Sequence, residues 1–166
     1  MKKTILLFVS VILFSTMLFA NEKLYSFIGV QASPSIFNNT IAPSLAMKYG
    51  KQSKDMRTSI ALGYGQNGDN AYQTLIVQMD TGVLTQKFKD IAFKPYIGGS
   101  FGVIQHKNKK LMEGNDKGFL YGFNMGLSYV VNNNMDFDLG YRFLKTTKMK
   151  ELNNVNDLSL SMHYFY

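Results

Sequence analysis

Few residues in this chain have the types and spacing to do chemistry. It has two histidines and no cysteine. Nucleophilic catalysis needs a hydroxyl or thiol held beside a base, with a third group orienting that base. His106 stands in HKNKK with no serine within two residues. His163 stands in SLSMHYFY, behind Ser159 and Ser161. Alternate positions on a strand share a face but are strung out along it, so this spacing is not a nucleophile–base pair. The expectation is that His163 joins a polar network and that His106 is a solvated loop residue. Two histidines so far apart make a poor zinc site. No catalytic, cofactor-binding or metal-binding residue is assigned. The absence of cysteine removes disulfides as a stabilising device. The formal charge is +7, but no basic stripe is interleaved with aromatics, so nucleic acid is not a partner.

The element that places these residues is read from GFLYGFNMGLSYVV, 118–131. Phe119, Tyr121, Phe123, Met125, Leu127, Tyr129 and Val131 are large and apolar; the alternate set, including Gly118, Leu120, Gly122, Asn124, Gly126, Ser128 and Val130, is mostly small or polar. A period of two predicts a strand with two unlike faces. Seven further segments predict strands: 24–33, 41–50, 56–65, 71–82, 93–104, 135–144 and 157–166. Turn signals such as QNGDN and Asn132-Asn133-Asn134 separate them. Two long polar connections, 105–117 and about 145–156, carry lysines; these and the other odd-numbered connections are expected on one side, the short turns on the other.

The chain opens MKKTILLFVSVILFSTMLFA. Two lysines before an apolar run ending at Ala20 predict a cleavable signal peptide over 1–20. The rest, 21–166, is long enough for one domain. No other run of about 18 apolar residues exists, which excludes a second membrane helix but not a membrane barrel.

Charge decides which face is which. On the last three strands the face bearing Phe119, Tyr121, Phe123, Met125, Leu127, Tyr129, Phe137, Leu139, Tyr141, Leu160, Met162 and Tyr164 carries no charge; the opposite face holds Asp136, Asp138, Arg142, Asp157 and His163. In water the first face would be an aggregation-prone patch, whereas in lipid it is required. The expected fold is all-β: an eight-stranded antiparallel up-and-down transmembrane β-barrel, with the aromatic face as a lipid-facing belt and the charged face lining the lumen. Arg142 is expected to pair with Asp157 across neighbouring strands.

The signal peptide, PYIGGSFGV, FDLGYRF and the terminal SLSMHYFY together resemble the small eight-stranded outer-membrane barrels of Gram-negative bacteria, the OmpA/OmpX type. The resemblance implies an outer-membrane location, with outer-membrane lipid and lipopolysaccharide as partners. It also implies that Tyr164 and Tyr166 act as a signal to the barrel-assembly machinery during insertion. A structural or surface-interaction role is expected, without an open pore and without enzymatic activity. Loops 105–117 and 145–156 are the candidate sites for a host or surface ligand. A lipid A-modifying enzyme and a narrow solute pore are the alternative classes.

Overall fold

The computed structural model describes residues 24–37, 40–82, 92–108, 115–147, 149 and 152–166. The segments 1–20 and 83–91, and the tip 109–114, lie outside the described residues, and with them the expected signal peptide and part of the fifth connection. Eight antiparallel strands form a closed barrel in sequence order: β1 (Tyr25–Phe37), β2 (Thr40–Gln52), β3 (Met56–Asn67), β4 (Asn70–Thr81), β5 (Phe93–Asn108), β6 (Asn115–Asn132), β7 (Met135–Thr147) and β8 (Asn154–Phe165). Closure between β1 and β8 leaves no edge strand. Even the chain end is tied in: Phe165 N–H donates to Asn134 and Tyr166 N–H to Ser26.

Register defines the shape. A cross-strand row starting at Phe27 passes Gly50, Ser59, Gln78, Ser100, Gly122, Leu144 and Val155 and returns to β1 at Phe37, ten residues along. A stagger of that kind accompanies strands tilted by about 35–45° to the barrel axis. It also means that rows climb toward the β1–β2 end on going from β1 to β8. That end carries the odd-numbered connections; the termini and the even-numbered turns are at the other.

Several boundaries differ from the sequence expectation. β1 continues past Pro34 to Phe37, where a Pro-Asn-Asn loop was expected. Proline brings no N–H to the ladder, and the β1–β8 pairing is interrupted at Ser33 and Pro34 before resuming at Ser35. β5, β6, β7 and β8 all run beyond their expected ends, so the fifth connection shrinks to 109–114 and the seventh to 148–153. The fourth, 82–92, is longer than either, which removes connection length as a guide to orientation. The cause is polarity: QHKN alternates faces like any strand, but outside a membrane both faces are polar and periodicity is invisible. At the turn before β7 the register shifts between Val130 and Asn132; Val130 itself still pairs with inward Asp136 and borders the space beside Arg57, although it is exposed.

Candidate functional site

Side-chain parity divides the wall as the strand period requires. Phe119, Tyr121, Phe123, Met125, Leu127, Tyr129, Phe137, Leu139, Tyr141, Leu160, Met162 and Tyr164 all point out and are exposed, as is Tyr166. So do Leu45, Met47, Ile60 and Leu62 on the far side. Asp136, Asp138, Arg142, Asp157 and His163 point in and are buried. This arrangement has its apolar residues outside and its charges inside.

The lumen has two layers. Toward the odd-numbered connections it is filled by Phe37, Tyr72, Ile76, Ile104, Leu120, Leu144, Leu152 and Val155. Tyr72 stacks on Phe37, with centroids 3.8 Å apart, and on His106 at 4.8 Å. His106 is therefore not the solvated loop residue expected: it is a buried residue of β5, paired with Asn70 at 2.9 Å. Extension of β5 places it at an inward position.

Below this plug lies a network centred on Arg57. Its guanidinium donates to Asp136 and, at 3.2 Å, to Asp138, while Nε donates to Gln52 at 2.6 Å. The same group lies over the rings of Phe27 and Phe165, 5.6 and 5.9 Å from their centroids, a favourable geometry for a cation. His163 contacts Asp136 through Nδ1 at 2.7 Å and Tyr96 donates to Asp138 at 2.7 Å. Lys48 donates to Ser161 at 3.2 Å. A further branch joins Ser100, Asn124, Asp80 and Gln78. Between network and plug, Arg142 donates from Nε and Nη2 to Asp157 Oδ2 at 3.0 and 2.5 Å, the pair expected from sequence. Buried charges are tolerated when paired and hydrogen-bonded in this way.

Arg57 was not singled out from sequence. It falls in the expected strand 56–65, directly after the polar turn KQSKD, and parity with Ser59 and Ala61 places it inward. Lys48 and Asp80 likewise sit at inward positions of β2 and β4 and are buried. The Lys48–Ser161 and His163–Asp136 contacts are of types used for nucleophile activation. Ser161 and His163 are each only 1% exposed, so no substrate reaches either in this conformation. Among the described residues, spaces of about 30 and 60 Å³ border these groups, room for isolated waters.

Among the described residues no group of three or more His, Cys, Asp or Glu side chains is placed to hold a metal. No helix is long and apolar enough to cross a membrane among those residues, which says nothing of a β-barrel.

Solved structures share the fold. Neisserial surface protein A superposes with a TM-score of 0.62 at 16% identity, over 86% of this chain and 97% of that one. The N-terminal β-barrel domain of Pseudomonas aeruginosa OprF gives 0.54 at 11% identity, over 87% and 100%. The outer membrane enzyme PagL gives 0.53 at 10% identity, over 82% and 97%. At such identities the likeness is one of fold, that of the small eight-stranded outer-membrane barrels, and fold alone does not carry activity. No curated protein matches the chain. A family profile matches residues 25–150, most of the barrel, and the chain belongs to the family described as "Putative MetA-pathway of phenol degradation".

Proposed function

We infer that the protein is an integral outer-membrane barrel with a structural or surface-interaction role and no open pore. One observation carries this reading: the outer face is apolar around the wall while the charges are gathered and paired inside. In water the outer face would be a contiguous patch far beyond what soluble monomers expose. In a bilayer it is the surface the solvent demands, and closure of the barrel gives each strand a hydrogen-bonded neighbour on both sides. The apolar plug and the Arg57 network both obstruct the lumen, which supports a role at the surface rather than in solute passage.

The remaining parts follow from this reading. Residues 1–20 serve as the export signal and 21–166 as the barrel. The termini lie on the periplasmic side and the odd-numbered connections on the outer side, where the regions 105–117 and 145–156 serve as the meeting place for lipopolysaccharide or a surface ligand. Tyr164 and Tyr166, exposed on a strand end held from both sides, present the signal to the assembly machinery. The family description refers to phenol degradation; the inaccessible Lys48–Ser161 and His163–Asp136 contacts favour a place in the envelope over ring chemistry. The test is to reconstitute the pure protein in planar bilayers and in vesicles with labelled lipid A. Neither conductance steps nor lipid turnover is expected. Stable steps would establish the pore instead, and turnover the enzyme.

A further inference from the structure

We propose that the outer wall binds a phosphorylated glycolipid of the outer leaflet, with an acyl chain in a cleft across β1–β6 and a phosphate at Lys117 and Lys107. The proposal rests on the membrane reading above. The cleft is open and about 910 Å³ in volume, within the range of small-molecule sites, about 300–1,000 Å³. Its walls are two neighbouring cross-strand rows. One runs from Val30 through Leu62 to Phe119, the other from Leu45 through Gln73 and Gln105 to Lys117. Between them the floor is the backbone of the intervening row, Gln31, Ala46, Gly63, Thr74, Ile104 and Gly118, which alternates with the two outward rows.

Direction and polarity agree. Because rows climb from β1 toward β8, the Val30 end is the deeper and the Lys117 end the nearer to the outer surface. The deep end is aliphatic. The upper end is lined by Gln73, Gln105 and Lys117. Lys107 stands two residues above Gln105 on the same outward face, and both lysines are exposed. An apolar trough ending in amides and cations matches an acyl chain under an anionic head, and cations attract anionic lipid heads strongly at this level. On the outward leaflet that head is the sugar-borne phosphomonoester of lipid A.

The chain contains no tryptophan, so single reporters are clean. Leu75→Trp, with Leu62→Trp as a second position, reports from the cleft; Leu160→Trp reports from the opposite wall. Each is folded into phosphatidylcholine vesicles containing a minor fraction of dibrominated phosphatidic acid, a phosphomonoester lipid with a quencher in its chains. Quenching in the cleft is expected to exceed that at 160, with roughly fivefold enrichment per lysine. Lys107→Gln with Lys117→Gln should abolish the excess, and unlabelled lipid A should displace the probe where phosphatidylglycerol does not. Equal quenching at both walls, an excess that survives loss of the lysines, or equal displacement by phosphatidylglycerol would each overturn the proposal. Dibrominated phosphatidylcholine is the separate check on insertion: if it quenches neither wall, the membrane reading itself fails.

Discussion

Replacing Arg142 and Asp157 singly and together tests the inside of the barrel most sharply. Arg142 and Asp157 face each other directly in the β7–β8 register, with side chains 9% and 5% exposed. Both guanidinium contacts converge on one carboxylate oxygen. Arg142 Nη1 and Asp157 Oδ1 are buried without a partner among the described residues. Protein groups thus leave part of this buried pair's hydrogen-bonding capacity unmet. Removing one member strands a buried charge, which costs about 3–5 kcal/mol. Removing both exchanges an imperfect ion pair for apolar contacts beneath Leu144 and Val155, and such exchanges are often neutral or stabilising. Arg142→Met and Asp157→Leu should therefore each destabilise the barrel by about 3–5 kcal/mol, while the double variant returns to within about 1 kcal/mol of the parent. Urea titration of barrels folded in vesicles, followed by circular dichroism, gives all four corners of the cycle. Additive losses in the double variant would refute the pairing and the low-dielectric lumen it assumes.

Other outcomes follow from the same wall. Leu139→Arg, on the outer face, should cost about 2–4 kcal/mol in vesicle-folding titrations, whereas an exposed leucine in a water-soluble barrel would tolerate the change within about 0.5 kcal/mol. A Cβ on Gly122 would strike the backbone carbonyl of Phe143, while one on Gly99 finds only an ordinary 3.7 Å contact; Gly122→Ala should lower stability by about 1–3 kcal/mol in the same titration and Gly99→Ala should not. Tyr166→Ser should reduce assembly in cells much more than folding of the pure chain into vesicles, measured by the folded fraction on cold detergent gels; equal losses would reject the assembly-signal role and leave only an interfacial aromatic.

The architecture was legible where one face must be apolar and the other polar. Phe119 to Tyr129 show both faces at once, so the strand and its two unlike faces could be read from period two, and the charges on the neighbouring strands then told inside from outside. The same rule failed where both faces meet water. Gln105 to Asn108, and the residues on either side of the seventh connection, are strand in the structure, and reading them as loop misplaced His106. Arg57 illustrates a different limit. Its inward parity was available from the strand 56–65, but its part as a buried hub depends on Asp136, Asp138 and His163 approaching from β7 and β8, a closure that local sequence does not encode. The Arg142–Asp157 pair was accessible because adjacent strands joined by one connection fix a short-range register. The external cleft was not: its rows cross six strands, and only the full stagger shows that they rise toward Lys117.

The central claim is that the apolar face lies in an outer membrane. Separating cell envelopes on a density gradient and washing the fractions with alkaline carbonate tests it most directly. The account predicts that the protein bands with the outer membrane, resists extraction, and changes gel mobility between unheated and boiled detergent samples as a closed barrel opens. Recovery as a soluble periplasmic protein would contradict it.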